Sequence, residues 1–204
     1  MLVLTIGWET LLGLHERAVR ETIELVRRVR PEDLDRPTPC TEWTLDELVS
    51  HMTTQHYGFA AAARGHGDID AVWRQPPPGE DHAAEYARAA EDVLAAFAAP
   101  GVSGSEFALA EFGAGVTAPA PFAVSAHFVD YVVHGWDVAR SLGLPFAPDG
   151  DIAEAALRVA EQVPDGPERK EQGAFFGPAL PGSGATDSFE RTLLLLGRSP
   201  TWPG

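Results

Sequence analysis

From Trp8 to Val29 the apolar residues Trp8, Leu11, Leu12, Val19, Ile23 and Val26 recur at intervals of three, four and seven, the pattern of one amphipathic helix face. Pro31 closes that stretch. In the following RPTPCTEWTLDEL, Thr44 and Glu47 form a capping-box pair, which predicts a second helix from about Leu45 to about Arg64. The Gly/Pro-rich RGHGDIDAVWRQPPPGEDH reads as a surface connector. A third helix is predicted from His82 to Ala99, ending before a Pro-Gly pair. Val102–Thr117, punctuated by glycine, admits a short irregular strand pair. A fourth helix starts near Pro121, at a position suited to proline, and stops at LGLP. Asp151–Val163 and Thr186–Leu196 read as two shorter helices separated by a long loop able to cover a cavity. The expected fold is all-α: a four-helix bundle with short additional C-terminal helices and a small irregular strand pair.

Composition narrows the class. The 204 residues are 45% hydrophobic and 22% charged, as in a globular chain, and the length suits a single domain over residues 1–204. Thirty acidic residues against fifteen basic ones give a net charge of −15, which argues against nucleic acid and anionic lipid surfaces as partners. A single cysteine, Cys40, excludes an intramolecular disulfide and a cysteine metal cluster, and fits a reducing, cytoplasmic setting. The apolar MLVLTIG at the start is too short for a signal sequence or a membrane span.

The chemistry concentrates on the fourth helix, in DYVVHGWDVAR. At helical spacing His127, Asp130, His134 and Asp137 fall within an arc of about 80°, while Phe128, Val129, Val132, Val133, Trp136 and Ala139 fill most of the remaining surface. Such a helix is largely buried, and its stripe of histidine and carboxylate must be satisfied internally. A metal ion does this: Asp130 and His134, four apart, reach one ion from the same face, and His51 on the second helix is the best third ligand. The alternative is a solvent-facing stripe or a plain ion pair. Asp137 is either an acceptor for a ligand histidine's ring N–H or a partner of Arg140. His127 lines the cavity as a proton shuttle or lies near the surface at the helix start, and His56, past His51, is a weaker cavity candidate. Trp136, His15 and Cys40 read as core residues rather than as substrate platform, ligand and nucleophile.

TPCTEWTLDELVSHM, then VDYVVHGWDVARSLGLP some eighty residues on, then FFGPALP and LLLLGRSPTW, resemble the DinB-like superfamily. Within it the chain is similar to an actinobacterial branch related to the N-terminal metal-binding domain of mycothiol-dependent maleylpyruvate isomerase, over about Thr10 to Trp202. The resemblance implies a four-helix bundle holding a divalent metal, with the ligand roles falling on His51, Asp130 and His134. It departs from the isomerase in two respects: Asp130 stands where the isomerase uses a glutamate, and residues 142–204 are shorter than the isomerase's C-terminal domain.

Two histidines and one carboxylate leave coordination positions open, as in catalytic rather than closed structural zinc sites. Zinc is the expected ion, with nickel and iron as alternatives. The resemblance implies mycothiol as co-substrate, its sulfur attacking a small electrophile in a transfer or isomerisation. The competing functions are a non-haem iron oxygenase, since the same donor set suits iron, and a non-enzymatic metal-binding or small-ligand module. A homodimer is expected by analogy with related bundles.

Overall fold

The computed structural model describes residues 6–41, 43–74, 81–171, 174–182, 184 and 187–203. Six helices form its frame: α1 (Trp8–Val26), α2 (Leu45–Ala63), α3 (His82–Phe97), α4 (Ala120–Ser141), α5 (Gly150–Ala160) and α6 (Ser188–Leu195). Between α3 and α4, β1 (Glu106–Ala108) and β2 (Thr117–Pro119) pair antiparallel, with Phe107 opposite Ala118. The fold is the expected all-α bundle. α1 packs mainly on α4 and α2 mainly on α3, while α1–α3 and α2–α4 contacts close the four-helix core and α5 and α6 pair outside it.

Local chemistry explains where the helices begin and end. Thr44 accepts a hydrogen bond from the Glu47 backbone N–H at 3.3 Å, and Glu47 accepts one from Thr44 N–H at 2.8 Å, so the predicted capping box starts α2. Asp81 and Asp187 act as one-way N-caps of α3 and α6, accepting from the backbone N–H of Ala84 and of Phe189 and Glu190 respectively. The expected start of the last helix at Thr186 lies outside the described residues, as do positions 75–80, 172–173, 183 and 185 of the two long loops. α1 ends at Val26 rather than Val29, because Pro31 pushes Arg30 into extended backbone, φ −107° and ψ 159°. At the end of α4, Gly143 takes φ +70° and lets Leu144 N–H reach Ala139 O at 2.8 Å.

α4 is the central element, with only a few of its residues accessible. Phe128, Val129, Val132, Val133 and Trp136 meet α1 and α5 side chains, whereas Tyr131, Val138 and Ala139 join Leu45, Leu48 and Met52 of α2. Each such large side chain contributes roughly 1.5–3 kcal/mol by its removal from water. Gly135 permits the close approach of α1: a Cβ there would meet Phe146 at 3.1 Å and Thr22 at 3.2 Å. Trp136 lies in this core, as its sequence context suggested.

The bundle interior also holds three histidines. His15 of α1, His127 of α4 and His56 of α2 form a chain, His15 Nε2 to His127 Nδ1 at 2.8 Å and His127 Nε2 to His56 Nδ1 at 3.3 Å. Tyr131 stacks on both His56 and His127, at 4.1 Å between ring centroids in each case. His127 is therefore 1% exposed rather than near the surface. Burial, with mutual repulsion added at His56 and His127, keeps all three neutral: His15 is lowered to about 3, and the other two lie well below the ordinary imidazole value. Because the unfolded chain binds protons near pH 6.5 that the folded chain refuses, their contribution to stability is complete above that pH and is lost as pH falls below it. We predict that chemical denaturation at pH 7.0, 6.0 and 5.0 shows stability falling by at least about 1.4 kcal/mol per pH unit below 6.5, the slope for one proton; a flat profile contradicts neutral burial.

Candidate metal centre

The second turn of α2 carries His51, and Trp43, in the loop just before the helix, lies against its ring with centroids 4.5 Å apart. Asp130 and His134 occupy successive turns of α4, facing α2. His134 Nε2 lies 3.3 Å from Asp130 Oδ1, and the His51 and His134 rings meet edge to face at 5.5 Å. One donor atom from each of the three falls within 4.8 Å of the others. The structure thus brings together the three residues that the sequence singled out, at one edge of a cavity of about 900 Å³.

The far side of His134 is tied down by charge. Its Nδ1 bonds Asp137 Oδ2 at 2.9 Å, and Asp137, 0% exposed, also accepts from Arg198 Nη2 at 3.1 Å. Arg140, the other partner considered for Asp137, instead bonds Trp202 O and lies over the Trp136 ring. With Nδ1 held as donor, Nε2 is the atom presented to Asp130 and His51. Burial works against charge throughout this chain. Against it, Arg198 and His134 still hold the Asp137 carboxyl below its ordinary value, His134 and His51 do the same for Asp130, and the two carboxylates raise His134 well above the usual imidazole range. His51 is lowered to about 4 by burial first and by the His134 charge second, so its ring offers a lone pair at neutral pH.

Cys40, His134 and Asp137 form a second close set of donors. There the Arg198 guanidinium stands 3.0 Å from Cys40 Sγ and 3.1 Å from Asp137, so a positive charge already occupies the position a cation needs. Burial, and the Asp137 charge next, push the Cys40 thiol up, which leaves it protonated and poorly nucleophilic. Among the described residues no lysine or arginine pairs with Asp130 in the set of His51, Asp130 and His134, which faces the cavity; the charge beside Asp130 is the His134 imidazolium, whose Nε2 proton an incoming cation would displace.

The other histidines divide. His127 contributes to the cavity wall while bonding inward to His15 and His56. His56 is fully buried behind it, with Nε2 unpartnered among the described residues. Sequence reasoning missed three residues of the wall: Arg198, Gln55 and Glu111. Gln55 is one helical turn after His51 and was accessible to the same spacing argument. Arg198 is the single cation after a run of leucines in LLLLGRSPTW. Glu111 lies on a short turn, Ala110–Phe112, between the strands, where no periodicity marks it.

A family model, the mycothiol maleylpyruvate isomerase N-terminal domain, matches residues 15–139. The chain belongs to that family. Two uncharacterized proteins, from two strains of Mycobacterium tuberculosis, are each 28% identical over 188 residues, spanning 91% of this chain and 96% of theirs. Among solved structures, a histidine-to-alanine mutant of the mycothiol-dependent maleylpyruvate isomerase superposes with a TM-score of 0.58 at 13% identity, over 76% of this chain and 68% of that one. The two share the fold. No described helix is long and apolar enough to cross a membrane.

The geometry separates the two donor sets experimentally. Asp137→Asn, which frees the His134 ring, is expected to weaken binding of zinc roughly 10- to 100-fold in competition with a chromophoric chelator, whereas Cys40→Ala leaves the affinity within about twofold. A loss of affinity in Cys40→Ala as large as that in Asp137→Asn would assign the ion to the cysteine set, of which Asp137 is also a member.

Proposed function

We propose that His51, Asp130 and His134 hold a divalent cation, zinc by the nature of the donors, and that the protein uses it for mycothiol-type thiol chemistry on a small electrophile, by transfer or isomerisation. The observation that carries this reading is the convergence of two imidazoles and one carboxylate from α2 and α4 on the edge of a large cavity. The donors fit the group. One imidazole is neutral and lone-pair-bearing, the other is turned by Asp137, and the carboxylate is 24% exposed on the cavity side.

When bound, such a cation with open positions lowers the proton affinity of a thiol and supplies sulfur as a nucleophile at neutral pH. The protein's own residues do the rest. Arg198 fixes Asp137, which fixes His134, so that the donor atoms are held in place before any ligand arrives. Trp43 packs against the His51 ring and limits its rotation. Phe112 and Phe175, both exposed, stack at 4.7 Å on the cavity wall and give it an apolar aromatic surface against which a small electrophile can pack. The family's name, mycothiol maleylpyruvate isomerase N-terminal domain, supports mycothiol as the thiol.

Elemental analysis of protein purified without a histidine tag tests the ion, and thiol-dependent turnover tests the chemistry. Wild type is expected to carry close to one zinc per chain, and His51→Ala and His134→Ala to carry none while retaining the helical circular dichroism of wild type. Metal-loaded wild type is expected to convert an electrophilic cis-alkene only when mycothiol is present, consuming the thiol if it transfers and regenerating it if it isomerises the alkene, and the metal-free variants to lose that rate at least about 100-fold. Iron in place of zinc, with oxygen uptake and no thiol-dependent turnover, would overturn the assignment.

A further inference from the structure

Glu111 is set apart from the other charged groups of the cavity. Its carboxyl receives a hydrogen bond from the Gln55 side-chain amide, and no described cation pairs with it. Gln55 is itself 5% exposed and held on α2 one turn after His51, so the amide fixes one carboxylate oxygen and leaves the other free. The remaining charges are otherwise engaged or distant. Asp130, on α4, repels Glu111 electrostatically without a hydrogen bond between them. Arg169 gives its donors to the backbone carbonyls of Pro164, Val163, Gly177 and Leu195, and Arg198 is engaged by Asp137. Lys170, also on the wall, is exposed, as is Asp70 on the turn packed against that of Glu111.

We propose that Glu111 is the proton-transfer residue of this site: its free carboxylate oxygen takes the proton from the incoming thiol and returns it to the substrate. This deepens the thiol-chemistry reading and rests on it. In the first half the S–H bond breaks and an O–H bond forms on Glu111. The sulfur electron pair then forms the S–C bond, and the displaced π pair of the electrophile moves to the neighbouring atom. That atom takes the proton back from Glu111, which is again a carboxylate. A carboxyl in this position has the proton affinity the task requires. Burial, opposed by the Gln55 hydrogen bond and assisted by the Asp130 charge, raises it to about 7, near the pH at which the transfer occurs.

The test is proton counting by calorimetry in buffers of different ionisation enthalpy, with mycothiol titrated into zinc-loaded protein and no electrophile present. A free thiol is almost fully protonated at pH 7.0. Wild type is expected to release about half a proton or less per thiol bound at that pH, because Glu111 keeps the remainder, and Glu111→Gln, which preserves shape and the contact with Gln55, to release close to one. In wild type alone the release should climb toward one as the pH is lowered to 6.0, where Glu111 already carries its proton. Glu111→Asp, retaining a carboxyl, should restore part of the uptake. Equal and pH-independent release in wild type and Glu111→Gln overturns the role of Glu111 while leaving the thiol reading intact. Failure of mycothiol to bind either protein overturns both.

Discussion

The buried chain from Arg198 through Asp137 to His134 is the constraint on which the site depends. A carboxylate with no solvent access is tolerable only beside a cation, and Arg198, contributed from beyond α6, closes against α4 to supply one. The result is an imidazole whose orientation is decided before any ligand binds. His134 lies between two carboxylates, and the one on its far side, Asp137, is neutralised by Arg198. The one on its near side, Asp130, remains available to the cavity. The C-terminal segment is thereby part of the site, although the three proposed ligands all lie within residues 51–134.

The second organising feature is the contrast between the two histidine groups. His15, His56 and His127 lie inside the bundle, bond one another and stack on Tyr131, and are kept neutral by burial. His51 and His134 lie at the cavity edge among charges. The same residue type therefore serves as polar packing in one place and as candidate metal ligand in the other, the difference being set by whether carboxylates stand beside it. His127 lies at the boundary, facing the cavity on one side and the buried chain on the other. Family membership accounts for the bundle and for the position of α2 against α4. It leaves open what the wall of this particular cavity does, and Gln55 and Glu111 give that wall a chemical character independent of the metal.

Much of the bundle was legible because its signals are local. The Thr44–Glu47 box marks α2, the Pro121 region and LGLP bracket α4, and the apolar surround of the stripe on α4 indicated a buried helix. His51, Asp130 and His134 were accessible for the same reason: each sits at a helical register that can be counted. The end of α1 slipped because a neighbouring residue overrode the pattern, Pro31 acting through Arg30. The residues that sequence reasoning could not place are those whose meaning is tertiary. Cys40 had no base in its local sequence, yet Asp137 and His134 reach it from across the fold. Asp137 could be assigned an acceptor role but not its cation, because Arg198 is 61 positions away. Glu111 lies in a glycine-punctuated hairpin whose side chains no periodic argument can aim.

The decisive point is whether one ion binds where α2 and α4 converge. Crystals grown with zinc and measured on either side of the zinc absorption edge answer this directly, since the anomalous difference density locates the ion independently of any assumption about its ligands. One strong peak is expected within bonding distance, roughly 2.0–2.2 Å, of His51, Asp130 and His134 together. A peak bonded to Cys40 and Asp137, or none at saturating zinc, would contradict this assignment.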